Sequence, residues 1–297
     1  MALQPPPRLV TALGETAQDG DDWLEKLPEA AEEAAALREL TVERVHVPGG
    51  RSSLVVLVRC ADGTPAVLKL VPPRSRPAGE RAALAHWGGF GAVRLLDPAA
   101  SDGALLLERL HRDVSVRSLP EAKALLEAAG TLRRLWVEPP AEHRFETVAE
   151  RTGRQADAMR ASADAEVAPL VDAALAARDE LLGGDAEVRL LHGTFRQSKV
   201  LQGDRVPWLA VGPDPVVGEC AFDLARLVRD RVEDLIASPS GASITRRRVK
   251  KLAESLDVDQ ERLRGWTLFR AVESGVRARR VGREQDAELL LEFAGWL

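Results

Sequence analysis

Residues 192–199 carry the side chains of this sequence whose types are best suited to chemistry. The segment follows an apolar run and contains the hydroxyl of Thr194, the guanidinium of Arg196 and the ammonium of Lys199. A threonine hydroxyl accepts a hydrogen bond but cannot hold an abstracted proton near neutral pH, so it is unsuited to act as a general base. A lysine is a compact point charge that suits a phosphate or another anion. Two interpretations stay open: Lys199 contacts an anionic ligand, or the two cations are ordinary solvated loop charges.

Short β elements are expected to hold this segment in place. Residues 187–191 are predicted to form a strand that enters the segment, and residues 200–202 and 208–211 form a small hairpin after it. The hairpin turns at Gly203-Asp204 and runs directly into Gly212.

The chain before residue 110 is predicted to be mainly β. An acidic, alanine-rich helix at 23–40 follows a loose arm with three consecutive prolines. Five strands and one inserted helix then form a small α+β lobe. The strands cover residues 41–47, 53–60, 66–71, 92–96 and 104–110, and the helix covers 80–87. Asp62-Gly63 marks a hairpin turn, because this pair readily takes the positive φ that tight turns require.

After residue 110 the pattern becomes helical, with amphipathic segments at 120–136, 145–161, 167–182, 221–236, 244–256, 260–280 and 283–296. We therefore divide the chain into an arm and helix at 1–40, a β-rich N-lobe at 41–110 and a helical C-lobe at 111–297. In a bilobal protein, ligands favour the cleft between lobes. We expect a small-molecule ligand there.

Composition excludes several classes of protein. The chain has 297 residues with a formal net charge of −5, which argues against nucleic acid or a membrane surface as the partner. No apolar run approaches the ~20 residues that cross a bilayer, and the first twenty residues lack the pattern of a secretory signal. Cys60 and Cys220 are predicted to be buried thiols rather than a disulfide, which suggests a cytoplasmic protein.

Ordered motifs extend over most of the chain. They include Ala-Val-Leu-Lys ending at Lys69, Leu-His-Gly ending at Gly193 and Phe-Asp-Leu around Asp223. Further matching stretches are residues 52–55, 91–96, 105–110, 207–210, 216–219 and 261–267. In this order and spacing, the chain resembles the aminoglycoside/hydroxyurea antibiotic-resistance kinases, the family of streptomycin 6-phosphotransferase. The resemblance implies an α+β, bilobal, protein-kinase-like fold.

The resemblance also implies roles for individual residues. Lys69 matches the lysine that points at the α- and β-phosphates of a nucleotide, and Glu80 matches the carboxylate that pairs with it. Residues 107–110 match the hinge, so backbone groups near Glu108 and Leu110 would meet the adenine edge. His192 matches a histidine that anchors the loop by hydrogen bonding.

Three positions depart from the family pattern. Thr194 stands where the family has the aspartate that accepts the substrate proton, and Lys199 where it has a magnesium-binding asparagine. Gly212 stands where the family has a second magnesium ligand. Magnesium requires hard oxygen donors in octahedral geometry, so we expect no metal, and ATP or another nucleotide bound without Mg²⁺. Asp214 lies two residues after Gly212, between two prolines that restrict its movement towards a metal.

These departures predict a pseudokinase-like homologue that binds a nucleotide or small anionic ligand, with a partner protein as a further candidate. Two alternatives are an enzyme of a natural-product pathway that reuses the cleft, and an atypical ATP-dependent aminoglycoside phosphotransferase. The second alternative would use displaced residues such as Asp214 or Glu219.

Overall fold

The computed structural model describes residues 3–15, 21–100 and 102–297, which form two compact units. Unit 1 spans Met1–Asp113 and takes in Leu201–Val211, whereas unit 2 consists of Val114–Val200 and Gly212–Leu297. The predicted lobe boundary at residue 110 lies three residues before the end of the first segment of unit 1. The hairpin at 201–211, assigned from sequence to the C-lobe, is part of unit 1.

Unit 1 is built on a four-stranded antiparallel sheet. Its elements are α1 (Pro7–Gly14), α2 (Trp23–Leu37), β1 (Thr41–Val45), β2 (Leu54–Arg59), β3 (Pro65–Leu70), α3 (Pro77–Trp87) and β4 (Ala104–Glu108), with sheet order β1-β2-β3-β4. The predicted Asp-Gly turn between β2 and β3 is confirmed. Gly63 has a φ of +84°, and the Asp62 carboxylate accepts a hydrogen bond of 2.8 Å from the backbone N–H of Thr64.

Two predictions for unit 1 were wrong. Residues 92–96 are not a fifth strand, since they make only isolated bridges, Ala92 to Ala210 and Leu95 to Leu107. The left-handed Gly91 just before them, with φ of +77°, breaks the extended path that a strand needs. The arm was predicted to be loose, yet it contains α1, whose apolar side chains are buried in the same core as the sheet. Residues 16–20 of the arm lie outside the described residues.

Unit 2 is mainly helical, with short strands around the polar loop. Its helices are α4 (Glu121–Leu135), α5 (Val148–Ser162), α6 (Ala168–Leu182), α7 (Cys220–Val228), α8 (Val232–Ile236), α9 (Gly241–Leu256), α10 (Gln260–Arg280) and α11 (Glu284–Ala294). The remaining strands of the chain are β5 (His111–Ser115), β6 (Arg189–Leu191), β7 (Val200–Gln202), β8 (Trp208–Ala210) and β9 (Val216–Gly218), in the orders β5-β7-β8 and β6-β9. The sequence reading missed β5 and β9.

The predicted single helix at 221–236 is two helices. Arg231 has a φ of +59°, which a continuous right-handed helix does not allow, so α7 ends before it and α8 begins after it. Helix α10, by contrast, has the predicted bounds. It packs against α5, α6, α7, α9 and α11 and buries Trp266 and Phe269, which makes it the centre of the helical core. Within the described parts of the chain, no helix is long and apolar enough to span a membrane.

Candidate functional site

Lys69 and Glu80 form a buried ion pair in unit 1. Lys69 lies on β3 opposite Leu105 of β4, and Glu80 lies in the first turn of α3. The Lys69 ammonium donates to both carboxylate oxygens of Glu80 at 2.6 Å, and the two side chains are only 12% and 5% exposed. The structure therefore brings together the two residues that the resemblance paired. Their contact with nucleotide phosphates stays a prediction.

Glu108 and Leu110 lie at and just beyond the end of β4, away from this pair. The Glu108 carboxylate accepts hydrogen bonds from the backbone N–H of Arg94, at 2.7 Å, and from Arg205, at 2.8 Å. The backbone N–H of Glu108 donates to the carbonyl of Arg94 at 3.0 Å. Because these groups already hold the surrounding backbone, the adenine contact predicted here would have to come from backbone groups after Glu108. The Leu110 side chain is buried and therefore structural.

A buried carboxylate holds the loop that follows β6 in unit 2. Asp223, in the first turn of α7, accepts hydrogen bonds from the backbone N–H groups of His192 (2.8 Å) and Gly193 (3.0 Å). Burial raises the pKa of the Asp223 carboxyl, and the nearby charge of Arg270 and the two N–H donors oppose that shift. Arg270 also donates to the Gly193 carbonyl at 2.6 Å. Asp223 thus accepts from two N–H groups of the loop backbone and Arg270 donates to one of its carbonyls, and together they fix the path of the loop.

The start of the loop is sterically restricted. Gly193 has a φ of +76°, and a Cβ placed there would lie 1.9 Å from the carbonyl oxygen of Asp214, so only glycine fits. The His192 ring is fully buried, packs edge-on against Phe195 with centroids 5.4 Å apart, and lies 3.4 Å from the backbone N–H of Thr194. These contacts suit a histidine that anchors the loop.

The three positions that depart from the family pattern converge on one point. Lys199 lies in a one-turn 3-10 helix and directs its ammonium back towards the start of the loop. Its Nζ donates to the Thr194 hydroxyl at 2.6 Å and to the Gly212 carbonyl at 2.7 Å, and the Thr194 hydroxyl lies 3.4 Å from the same carbonyl. Thr194, Lys199 and Gly212 therefore form one group, which we call the Lys199 cluster, although Thr194 and Gly212 are 18 positions apart in sequence.

The donor set of the Lys199 cluster does not fit a magnesium ion. A hydroxyl and a carbonyl oxygen are present, but the same two oxygens already surround a positively charged ammonium. A divalent cation bound to either oxygen would lie within a few ångströms of that charge and would be repelled by it.

Both carboxylates that the sequence offered as substitute magnesium ligands have arginine partners. Asp214 is 55% exposed, and Arg151 donates to it at 2.9 Å. Glu219 accepts hydrogen bonds from Arg262, at 2.6 and 2.7 Å, and from the indole of Trp266. Over the described residues, no group of three or more His, Cys, Asp or Glu side chains is arranged to hold a metal ion.

Sequence reasoning missed a group of arginines near the loop. The exposed Arg196 of the loop is accompanied by half-buried or buried arginines at 226, 229 and 270 and by the exposed Arg277. Arg226 lies in α7 and Arg229 directly after its last residue, three positions further on, whereas Arg270 and Arg277 are seven residues apart on one face of α10. That spacing was visible in the sequence, but only the packing of α7 against α10 brings the two faces together.

Comparison with known proteins identifies the family. The model of the aminoglycoside/hydroxyurea antibiotic resistance kinases matches residues 38–282. This chain belongs to that family. The family and the protein-kinase-like fold expected from the motifs are confirmed.

Individual relatives agree with this assignment. The chain is 34% identical to streptomycin 6-kinase of Streptomyces glaucescens over 264 residues, which cover 87% of this chain and 85% of the relative. It is 36% identical to hydroxyurea phosphotransferase of Kitasatospora aureofaciens over 238 residues, covering 76% and 65%. A solved aminoglycoside phosphotransferase, APH(4)-Ia in a ternary complex with ADP and hygromycin B, shares the fold. Its TM-score is 0.61 at 16% identity, over 89% of this chain and 96% of that chain.

Proposed function

We propose that this protein is a pseudokinase-like member of its family. It binds a nucleotide, or another ligand that carries phosphate groups, without Mg²⁺ and does not transfer phosphate by the usual route. The observation that carries the proposal is the position of the Lys199 ammonium between the Thr194 hydroxyl and the Gly212 carbonyl. A positive charge belonging to the protein lies where the resemblance places the ligands of a metal.

Unit 1 supports the ligand-binding half of the proposal. Lys69 lies on a strand and Glu80 on the following helix, and the two are in direct contact, as the resemblance requires for phosphate recognition. Burying a lysine and a glutamate costs several kcal/mol per ion before their attraction is counted. A pair that serves only stability could be replaced by apolar residues at little loss, so a function in ligand binding is consistent with its presence.

The loop of unit 2 supports the other part of the proposal, that the protein does not transfer phosphate by the usual route. Thr194 cannot store the proton of an attacking hydroxyl, and positioned proton transfer is worth roughly 10²–10⁴ in rate. Phosphoryl transfer depends mainly on positioning and charge neutralisation by metal ions. Both contributions are weakened here together, so we expect transfer by the family route to be slower by more than ~10⁴.

Calorimetry with ATP, in EDTA and then in excess magnesium, tests the proposal directly. The expected result is binding with the same affinity in both buffers, no release of ADP, and loss of binding in Lys69→Met. Lys123→Met is the matched control, because Lys123 is exposed on α4 and the change in charge is the same. Absence of ATP binding, or binding only with magnesium, contradicts the proposal.

Phosphate transfer by displaced residues is the second candidate, favoured by the similarity to streptomycin 6-kinase and hydroxyurea phosphotransferase. Asp214 and Glu219 are the carboxylates that it would need, and both would first have to leave arginine partners. Incubation with ATP, magnesium and streptomycin or other aminoglycosides distinguishes the two functions. ADP release that disappears in Asp214→Ala or Glu219→Gln would establish transfer and refute the pseudokinase assignment.

A further inference from the structure

The N-terminal arm of the chain contacts the loop that joins β1 to β2. Helix α1 of the arm buries Leu9 in the core on one face of the unit 1 sheet, together with Leu68 and Leu70 of β3. Apolar packing therefore anchors the arm to the sheet. From this anchor, the residues at the two ends of α1 reach residues 46–53, which we call the β1–β2 loop.

Two contacts join the ends of α1 to the β1–β2 loop. Pro6, directly before α1, packs against Gly49, since a Cβ placed on this glycine would lie 3.0 Å from the proline ring. Gly49 also has a φ of +75°, so the loop turns here in a conformation that favours glycine. Directly after α1, both carboxylate oxygens of Glu15 accept hydrogen bonds from one terminal nitrogen of Arg51, at 2.7 and 2.8 Å. The arm thus holds the loop at two points.

The β1–β2 loop lies at the end of the sheet that carries Lys69. In the β2–β3 ladder Val55 is directly opposite Lys69, and the Val55 carbonyl accepts a hydrogen bond of 2.8 Å from the backbone N–H of His46. Both ends of the loop are therefore next to the residue that pairs with Lys69. Leu68 and Leu70 face the core that contains α1, so Lys69, between them, points to the opposite face. The loop consequently connects the anchored arm to the edge of the Lys69 site.

We propose that the arm positions the β1–β2 loop for ligand binding at Lys69, with Glu15 as the positioning residue. Glu15 acts through Arg51 and does not itself touch the ligand. A loop that is already held in place loses less conformational entropy when a ligand binds than a loop that the ligand must order. The inference rests on the proposed function in taking Lys69 as a phosphate contact, whereas the hold of the arm on the loop is independent of it.

Hydrogen exchange of the loop tests the contact without any ligand. The double variant Glu15→Gln and Arg51→Gln removes the ion pair and leaves the net charge unchanged. Because the two side chains are 19% and 40% exposed, its loss should lower the protection factors of the backbone N–H groups at 49–53 roughly two- to fivefold. The swapped pair, Glu15→Arg and Arg51→Glu, should restore most of the protection. The control, Glu261→Gln with Arg264→Gln, removes an exposed pair of the same residue types on α10 and should leave the loop unchanged.

Calorimetric titration with ATP tests the consequence for the Lys69 site. The Glu15 and Arg51 double variant should bind ATP roughly two- to fivefold more weakly than the wild type, because the ligand then has to order the loop. The swapped pair should recover the affinity, and the control pair on α10 should match the wild type. Lys69→Met should lose ATP binding while its loop keeps the protection of the wild type, which separates a residue that contacts the ligand from one that positions the loop.

Either of two results would overturn the inference. Equal loop protection in the double variant and the wild type would show that the arm does not hold the loop. Equal or tighter ATP binding by the double variant would show that the held loop does not assist binding. Failure of the proposed function has a different signature. A wild type that does not bind ATP, but whose loop protection depends on Glu15 and Arg51, would refute the nucleotide proposal and uphold the positioning of the loop by the arm.

Discussion

We predict that placing at positions 194, 199 and 212 the residue types that the resemblance expects creates a magnesium site. The perturbation is the combined variant Thr194→Asp, Lys199→Asn and Gly212→Asp. Because the three side-chain positions converge on one point in unit 2, all three changes act on the same site. The variant removes one positive charge and the Thr194 hydroxyl, adds two carboxylates and one amide, and keeps the backbone carbonyl of Gly212.

The expected magnitude follows from the distances. An ion about 2.1 Å from the Gly212 carbonyl oxygen can lie no farther than about 4.8 Å from the Lys199 Nζ, because that nitrogen is 2.7 Å from the same oxygen. At an effective dielectric of about 20, a divalent and a unit charge at that distance repel by about 7 kcal/mol. Rotation of Lys199 relieves the repulsion but breaks two charged hydrogen bonds, which together are worth at least about 3 kcal/mol. By either route, magnesium binding to the natural chain is disfavoured by roughly a hundredfold or more.

The backbone tolerates the restored aspartate. Gly212 has a φ of +62°, and aspartate is among the few non-glycine residues that occupy this left-handed region at modest cost. The variant should therefore fold, with a small loss of stability that circular dichroism and thermal unfolding will measure.

The assay is titration of ATP into the variant and the wild type, each in EDTA and in excess magnesium. We expect magnesium to strengthen ATP binding at least about tenfold in the variant and to leave the wild type unchanged. Ser198→Asn, an exposed change in the same turn, is the control and should behave as wild type. A folded triple variant with no magnesium dependence would show that these residues are not the metal-site positions, and the electrostatic reasoning would fail with them.

Three further outcomes test the structure. Glu80→Gln leaves the Lys69 ammonium buried without its counter-charge and should lower the free energy of unfolding by about 3 kcal/mol in denaturant titration; a loss below ~1 kcal/mol would contradict a buried pair. Gly193→Ala should cost more stability than Gly63→Ala, because both have positive φ but only the former meets backbone atoms; equal losses would refute that packing. Burial raises the pKa of the Cys220 thiol from 9.0 to about 12. The neutral buried thiol therefore contributes fully to stability below pH 9, and this contribution is lost as pH rises through 12. Cys220→Ala should reduce the fall in stability at alkaline pH, and rapid alkylation of the native thiol at pH 8 would argue against the shift.

Local patterns predicted most of the elements, because period and turn chemistry are properties of neighbouring residues. The hairpin at Asp62-Gly63 and the bounds of α10 follow directly from such patterns. The failures share a physical cause. Arg231 takes a left-handed conformation inside an amphipathic run, and its side chain donates to the carbonyls of Arg117 and Leu119, more than a hundred residues earlier. No short-range signal encodes a contact of that kind.

Sequence alone determined the family and the fold class, and it supplied the residue types at positions 194, 199 and 212 from which the proposed function is argued, since these depend on residue identity and order along the chain. Only the tertiary structure decided that the Lys199 ammonium lies against the two oxygens and that Asp214 and Glu219 are held by arginines. Electrostatic interactions depend on distance and burial in three dimensions, and residue order does not specify either for groups that are far apart in sequence.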